Sequence, residues 1–327
     1  MAKINQKTST IPVLRNDDGI TKALPPHDYI HAATSDNTRK AYQADIRHFT
    51  QWGGLLPTVV DIVMQYLQQH AGRLNPRTLV RRLTALRNWH LTQGFSDPTA
   101  HPAIHKTLTG IKNVHGKPKN KAPALTLAFL IEMVSFLKKS ERLMDCRSNA
   151  LLQIGFFGAF RRSELVALTW EAIHFVPEGI EILISRSKTD QAGEGQVCAI
   201  PYGDGTLCPV RALITWRDRS CQSGFIFRQI QGGQINPDSI KAPQMNILIK
   251  SIAKACQLPD AELYSSHSLR RGFATEASKQ GVPFGSILRQ GRWRHEGTVL
   301  GYMDEGKRFE QNAAGLMLNH ETSTDPG

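Results

Sequence analysis

The chain has 327 residues, of which 40% are hydrophobic, and a formal net charge of +12. No apolar run reaches the roughly 18 residues of a membrane-spanning helix, and the first residues lack the apolar stretch of a secretion signal. The five cysteines are odd in number and include no Cys-x-x-Cys pair, which argues against a disulfide framework and a structural zinc site. We therefore expect a soluble cytoplasmic protein without a membrane partner, a metal or a cofactor.

The positive charge is concentrated in the first part of the chain. Residues 1–125 contain 17 Lys and Arg, 7 Asp and no Glu, whereas residues 126–327 contain 23 basic and 21 acidic residues. This asymmetry predicts that the first part binds a polyanion, for which nucleic acid is the natural candidate. A basic protein whose charge only aids solubility is the alternative at this point.

The first third of the chain predicts a polar tail followed by four helices. Residues 1–25 are polar and lack periodicity. Ser35 then offers a helix cap before an apolar face with Tyr42, Ile46 and Phe49, and further helices are predicted at 58–69, 76–94 and 103–114. The next segment, 116–125, has no apolar pattern and contains three lysines, Lys117, Lys119 and Lys121. This composition suits both an ordinary tether and a strand that follows the phosphate backbone.

The remaining residues predict a mainly α domain with a small β-hairpin. Strands at 179–185 and 196–201 flank a glycine-containing loop that carries Lys188. Helical periodicity is found at 127–139, 146–157, 164–170, 209–222, 239–256, 267–280 and 283–290.

A set of scattered polar residues in this domain indicates phosphodiester chemistry. His267 and Arg270 are three residues apart, so one helical turn presents both to the same point. With Arg161 and Lys188 they supply the charges that hold a phosphodiester, and a tyrosine, Tyr302, offers a nucleophile that needs no metal. Each residue alone is typical of a solvated surface or ordinary packing; their order and spacing carry the hypothesis.

Here the sequence resembles the tyrosine recombinase (phage integrase) family, and most closely its Cre-type members. The resemblance covers almost the whole chain and is strongest in the His-x-x-Arg box, in Gly291-Arg292-Trp293 and in the nine-residue step from Trp293 to Tyr302. Two departures are notable. Many members have glycine and an aliphatic residue where this chain has Ala159 and Phe160, and many have histidine where it has Trp293.

The resemblance implies a fold in two parts. An N-terminal four-helix, SAM-like core-binding domain spans 26–115, the basic linker spans 116–125, and the catalytic domain spans 126–327. It also implies that both domains clamp duplex DNA at a specific recombination site, and that a homo-tetramer works on two such sites. A last amphipathic helix with Phe309, Ala313 and Leu316 packs either on its own domain or on a neighbouring protomer, and the sequence favours neither.

The resemblance also assigns roles within the site. Arg161 and Arg270 hold the non-bridging phosphate oxygens, and His267 is the general base for Tyr302. Lys188 protonates the 5′-oxygen that leaves, and Trp293 donates its indole N–H to a phosphate oxygen. Glu164 orients Arg161. The reaction is cleavage and rejoining of DNA through a 3′-phosphotyrosyl intermediate.

DNA contacts are predicted on the basic helical face of the first domain and in the linker. The residues are Arg39, Lys40, Arg77, Arg81, Arg82, Lys117, Lys119 and Lys121.

Two other functions use the same residues and remain open from the sequence. One is a non-catalytic, sequence-specific DNA-binding regulator on a recombinase scaffold, and the other is a relaxing enzyme similar to a type IB topoisomerase. The sequence leaves undetermined the target site, the choice between integration, excision and dimer resolution, and the need for a partner recombinase. We expect the protein to work in the cytoplasm, at the nucleoid.

Overall fold

The computed structural model describes residues 33–118, 121–184 and 195–306, together with residues 314, 317 and 318. The chain divides into two compact units, Met1–Lys119 and Asn120–Gly327. The predicted tail at 1–25 and the residues Lys119, Lys188, Phe309, Ala313 and Leu316 lie outside the described residues.

The first unit contains four α-helices in its described part. Each of two helices begins at a capping side chain: Ser35 accepts a hydrogen bond from the Thr38 N–H at 3.3 Å, and Asn75 accepts one from the Arg77 N–H at 2.9 Å. A 3-10 turn at Pro98–Ala100 precedes the last helix. The helices are α1 Asp36–Trp52, α2 Val60–His70, α3 Pro76–Thr92 and α4 Pro102–His115.

The apolar faces of these helices meet in one core. Phe49 of α1, Tyr66 of α2, Leu79 and Leu86 of α3, and Ile104 of α4 are all buried there. The four predicted helices are therefore present, with boundaries that differ by a few residues. Their basic side chains alternate with the buried ones, which leaves most arginines of α3 on the outside.

The second unit is mainly helical, with two small antiparallel sheets. Its strands are β1 Ile173–Val176, β2 Gly179–Ile184, β3 Gln196–Pro201, β4 Arg228–Gln231 and β5 Gln234–Ser239. Its helices are α5 Leu127–Lys138, α6 Leu143–Phe157, α7 Arg162–Ala167, α8 Pro209–Arg219, α9 Ala242–Ala255, α10 Ser266–Lys279, α11 Phe284–Gly291 and α12 Glu296–Gly306.

Helix α6 is the centre of this unit. It packs against α5, α8 and α10, and its side chains Leu151, Ile154 and Phe156 are almost completely inaccessible. A helix that is buried on nearly all sides fixes the elements around it, because moving any of them opens a void in a close-packed core. Helix α10, which carries His267 and Arg270, is one of these elements.

The predicted hairpin is confirmed, and it belongs to a three-stranded sheet. Strands β2 and β3 pair antiparallel with Ile182 opposite Cys198, and β1 adds to the other edge of β2. In β2 the buried Ile180, Ile182 and Ile184 alternate with exposed side chains, as expected for a half-buried strand.

Two β elements were not predicted, and one predicted helix is too long. The segment 164–170 is helical only to Ala167, and a 3-10 turn at Trp170–Ala172 leads into β1. Ser239 belongs to β5, so α9 begins at Ala242 instead of residue 239. Strand β1 has only four residues, and β4 and β5 each contain a single β-branched residue, so none of the three stands out in the sequence.

A small separate cluster fixes α12 against α10. Ala274 and Ala277 of α10 contact Ile287 of α11 and Val299 and Tyr302 of α12 in this cluster. Tyr302 is therefore held by packing against the helix that also carries the histidine and arginine of the predicted site.

We predict that Gly272→Ala destabilises the second unit by about 1–3 kcal/mol, the usual cost of overpacking. A Cβ at this position of α10 would overlap the Leu125 carbonyl and lie 2.9 Å from the Phe156 ring. Urea unfolding followed by circular dichroism measures the change. Gly285→Ala in α11 is the control, because a Cβ there meets nothing within 4 Å. Equal stability of the two variants would contradict this account of the α10 contact.

Candidate active site

His267 and Arg270 both lie in the first part of α10. The Ser265 hydroxyl accepts a hydrogen bond from the His267 N–H at 3.2 Å, while the Ser265 N–H donates to the Ser268 hydroxyl at 3.1 Å. This reciprocal cap sets where the helix begins. His267 consequently lies exposed on the first turn, and Arg270 points inward with 3% of its surface accessible.

Tyr302 and His267 are hydrogen-bonded to each other within one chain. The Tyr302 hydroxyl lies 3.1 Å from His267 Nε2, and the tyrosine is 9% exposed. The backbone below the ring is anchored, since the Thr275 hydroxyl donates to the Tyr302 carbonyl at 3.1 Å. This is the distance at which an imidazole takes a proton from a hydroxyl nucleophile.

The Arg270 side chain is buried with one of its nitrogens unused. Nη1 donates to the Ala159 carbonyl, and the guanidinium carbon lies 4.1 Å from the centre of the Trp293 ring. Nη2 is inaccessible and has no hydrogen-bond partner among the described residues. An unsatisfied guanidinium nitrogen is costly in a protein interior, so Arg270 retains an unused hydrogen-bond donor.

The surroundings of Arg270 disfavour its positive charge. Burial, followed by repulsion from the positive charges of Arg161 and Arg292, lowers the pKa of Arg270 to about 9. The guanidinium therefore remains charged at neutral pH. A bound phosphate would offset the effects of burial and of repulsion, because its negative charge would balance the positive charges and its oxygen would accept the unused N–H.

Arg161 precedes α7 and is held from two directions. Its Nη1 donates to Glu164 Oε1 at 2.6 Å, and its Nη2 donates to the Arg292 carbonyl at 3.1 Å. The side chain is 20% exposed. Arg161 thus stays partly open to solvent, in contrast to the buried Arg270, and the two guanidinium groups are close enough to repel each other.

Glu164 is a buried carboxylate that accepts hydrogen bonds from both Arg161 and Arg292. It accepts hydrogen bonds from the Arg161 backbone N–H at 3.0 Å and from Arg292 Nη2 at 3.2 Å, in addition to the Arg161 side chain. Burial alone would raise its pKa, but the charge of Arg292 and the hydrogen bonds from Arg161 outweigh it and lower the pKa below the ordinary 4.5. The predicted pairing of Glu164 with Arg161 is present, and the carboxylate is ionised at neutral pH.

Trp293 covers the inner arginine. It is half-buried, with its ring against the Arg270 guanidinium, and a Cβ on Gly291 would overlap the same ring. Only glycine at 291 leaves room for the indole in this position. The predicted donation of the indole N–H to a phosphate stays a prediction.

Two further residues of the site, Arg292 and Gln290, were not predicted from the sequence. Gln290 Nε2 donates to the Phe157 carbonyl at 2.9 Å and to the Ala199 carbonyl at 3.0 Å, and Arg292 contacts Glu164. The partners are 91–134 residues away in sequence, a distance at which no spacing pattern operates. The only available signal was the adjacency of Arg292 to Trp293.

The predicted DNA contacts of the first unit differ in how accessible they are. Arg81 forms two 2.8 Å hydrogen bonds to the buried Asp45 and keeps 52% of its side chain exposed. Arg82 is only 11% exposed and donates to the Tyr66 hydroxyl at 2.8 Å. These contacts give Arg82 a role inside the unit, and its predicted DNA contact remains a prediction.

Four of the other predicted DNA contacts lie at the surface. Lys40, Arg77, Lys117 and Lys121 are exposed, and Arg39 pairs with Asp36. Arg77 donates to the Lys117 carbonyl at 3.4 Å, and the two side chains line a cleft of about 440 Å³ together with Lys112. Three cations beside the N-terminus of α3 make this cleft favourable for a phosphate.

No group of three His, Cys, Asp or Glu side chains capable of binding a metal ion is found within the described residues. In the same part of the chain, no helix combines the length and apolar character that crossing a membrane requires.

A histidine-paired tyrosine beside a cluster of guanidinium groups defines a class of protein that acts on phosphodiesters through a tyrosine. Comparison with known proteins supports the same class of protein. The model of the phage integrase family matches residues 130–308, and an integrase/recombinase XerD homolog of Selenomonas ruminantium is 33% identical over 97% of this chain and 96% of its own length. The chain belongs to the phage integrase family, the tyrosine recombinases.

Other relatives are more distant. The recombinase Cre of Escherichia phage P1 is 22% identical over 92% of this chain and 93% of its own. Among solved structures, the Tn1549 transposon integrase in complex with circular intermediate DNA has the same fold, with a TM-score of 0.61 and 15% identity. That match covers 90% of this chain and 97% of the integrase chain.

We predict that inorganic phosphate stabilises the wild-type protein through Arg270. At ten times its dissociation constant the anion should contribute about 1.4 kcal/mol and raise the melting temperature by a few degrees. Arg270→Met should lose this shift, and without phosphate it should melt no earlier than the wild type, because it removes a buried charge with an unused donor. Differential scanning calorimetry measures both. Equal phosphate shifts in Arg270→Met and in the exposed control Arg289→Ala would contradict the assignment.

Proposed function

We propose that Tyr302 is the nucleophile with which this recombinase cleaves and rejoins duplex DNA. The observation that supports it is the 3.1 Å contact between the Tyr302 hydroxyl and His267 Nε2, beside the Arg161–Arg270 pair. A tyrosine hydroxyl is protonated at neutral pH, so it needs a proton acceptor before it attacks phosphorus.

The proposed cleavage step forms one bond to phosphorus and breaks another. The phenolic oxygen of Tyr302 bonds to phosphorus, its proton passes to His267, and the bond from phosphorus to the 5′-oxygen breaks. Arg161 and Arg270 hold the non-bridging oxygens, where charge accumulates. The leaving 5′-oxygen receives a proton from Lys188, a role that rests on resemblance alone. The product is a 3′-phosphotyrosyl bond and a free 5′-hydroxyl.

Rejoining is the same step in reverse. The phosphotyrosyl bond replaces the broken phosphodiester, so a 5′-hydroxyl from another strand attacks it without an external energy source. His267 returns the proton to Tyr302, and the two arginines again stabilise the charge on phosphorus.

The layering of the side chains suits a DNA strand as substrate. His267 is exposed and Arg161 is partly exposed, whereas Arg270 and Glu164 are buried behind them. A phosphate that approaches from solvent would meet the outer groups first and reach the free nitrogen of Arg270 last.

We assign DNA binding to the first unit and catalysis to the second. The cleft with Arg77, Lys112 and Lys117 would receive a backbone phosphate. We keep the proposed boundaries of 26–115 for the core-binding domain, 116–125 for the linker and 126–327 for the catalytic domain.

We further propose a homo-tetramer on two DNA sites, acting in the cytoplasm at the nucleoid. Exchange between two duplexes requires four strands to be cut, and each chain contributes one Tyr302. The contact of Tyr302 with His267 of the same chain supports one complete nucleophile pair per protomer.

The decisive experiment is covalent trapping. Duplexes that bind the protein are selected from a random pool, nicked near the cleavage point so that the short 5′-hydroxyl fragment dissociates, and incubated with protein. We expect wild type to form an adduct that denaturing electrophoresis resolves and peptide mapping places at Tyr302. Tyr302→Phe lacks the nucleophile and should bind the same DNA without forming an adduct.

The two alternatives give different results in this assay. A non-catalytic regulator would bind and form no adduct with either protein, which would overturn the proposal. A relaxing topoisomerase would remove supercoils from plasmids without the selected site, whereas we expect activity only on plasmids that contain it.

We also predict that Arg77→Ala weakens DNA binding in a salt-dependent manner. Removing one phosphate contact should reduce the slope of log affinity against log salt by about 1. Fluorescence anisotropy at several salt concentrations measures the slope. Arg87→Ala is the matched control, since it removes the same charge ten residues further along α3, on a different face. A slope unchanged by Arg77→Ala would exclude the phosphate contact.

A further inference from the structure

We propose that Arg292 is a positioning residue for strand cleavage, which holds Glu164 and Arg161 in the geometry that the phosphate requires. This inference rests on the proposed function of the site. Arg292 itself is buried behind the site, so it would act through the two residues that it contacts.

The Arg292 side chain is one of the most enclosed charges in the described part of the second unit. Its side chain is 3% exposed, and its guanidinium carbon lies 4.6 Å from the centre of the Phe160 ring. Nη1 donates to the Gln290 carbonyl at 2.7 Å, and Nη2 donates to the Gly158 carbonyl at 3.1 Å and to Glu164 Oε2 at 3.2 Å. Such a set of contacts leaves the guanidinium a single position.

The backbone of Arg292 contributes separately. The residue ends α11 in the left-handed conformation, with φ at 54°, and its carbonyl accepts the hydrogen bond from Arg161 Nη2 at 3.1 Å. A non-glycine residue with positive φ is strained, and such strain persists only where surrounding contacts enforce it. Arg292 therefore contacts both members of the Arg161–Glu164 pair, one through its carbonyl and the other through its side chain.

A similar arrangement holds the other phosphate-binding arginine. Arg270 Nη1 donates to the carbonyl of Ala159, which also has positive φ, at 45°. Arg292 Nη2 donates to the carbonyl of the preceding residue, Gly158. The side chain of Arg292 thus fixes the loop whose backbone holds Arg270, while its carbonyl holds Arg161.

The electrostatic consequence concerns Glu164. The ionisable groups around it are the guanidinium groups of Arg161, Arg270 and Arg292 and the thiol of Cys198. Burial raises the pKa of Glu164, and the charge of Arg292 is the largest influence that lowers it. Without Arg292, only Arg161 would counteract the effect of burial, so the pKa of Glu164 would rise. A proton would then compete with Arg161 for the carboxylate.

Arg292→Gly separates the side chain from the backbone. Glycine adopts a positive φ without strain and keeps the carbonyl that Arg161 uses, so the variant loses the side chain of Arg292 and retains its backbone contact. We expect DNA affinity within twofold of wild type and adduct formation at saturating protein at least tenfold slower, because small displacements of phosphate-holding groups cost rate more than binding.

The pH profile tests the mechanism. In wild type the lowered pKa of Glu164 keeps adduct formation independent of this carboxylate down to acid pH. In Arg292→Gly the rate should fall at higher pH than in wild type, as Glu164 takes up a proton at its raised pKa. A double-mutant comparison adds a second measurement: in a Glu164→Gln background, Arg292→Gly should slow the reaction much less than it slows wild type.

Controls distinguish failure of this inference from failure of the proposed function. Arg289→Ala, an exposed arginine on the same helix, should react like wild type. If circular dichroism shows that Arg292→Gly does not fold, Arg292→Lys takes its place. Lysine keeps the charge without the fork of donors, so adduct formation should be slower than in wild type, while the fall of its rate at acid pH should stay near that of wild type.

An absent adduct in wild type would overturn the proposed function. An adduct in wild type, with equal rates and equal pH profiles in the tested Arg292 variant, would overturn the positioning role alone.

Discussion

The site depends on keeping several guanidinium groups close together before any phosphate is present. Arg161, Arg270 and Arg292 repel one another, and one buried carboxylate, Glu164, is the anion between them. The protein offsets this repulsion with backbone carbonyls as well: those of Ala159, Gly158 and Arg292 each accept a guanidinium N–H. Donors held in this way need no reorganisation when charge develops on phosphorus, which is how such sites accelerate the reaction.

The residues of the candidate site come from separate parts of the chain. The loop before α7 supplies Arg161, α10 supplies His267 and Arg270, and α12 supplies Tyr302. Helix α10 is fixed by the buried α6, and α12 is fixed to α10 by a small apolar cluster. Rigid elements thus carry Tyr302 and His267, the proposed nucleophile and base, and residues with positive φ at two loop positions supply or adjoin the carbonyls that hold the arginines.

Much of the fold and part of the candidate site could be predicted from the sequence, and the correct predictions have a common cause. The helices of both units follow from apolar periodicity, and the placement of His267 and Arg270 on one helix, α10, follows from their three-residue spacing. The pairing of Tyr302 with His267 across 35 residues followed only from family resemblance. Strand β1 was missed because four residues are too few to show a periodic pattern, and the hairpin β4–β5 was missed because most of its residues have weak strand preferences. The end of α7 at Ala167 was missed because tertiary contacts overrode the local pattern.

The amino-acid sequence by itself determined the family, the class of chemistry and the mainly helical fold, and it proposed the outer residues of the site, since these depend on local spacing and residue type. Only the tertiary structure decided which arginines are exposed and which are buried. Arg82 and Arg292 are indistinguishable from solvated arginines in the sequence, yet each contacts a buried carboxylate far away in the chain. Burial and long-range ion pairing arise from packing between elements, and no periodicity along the chain encodes them.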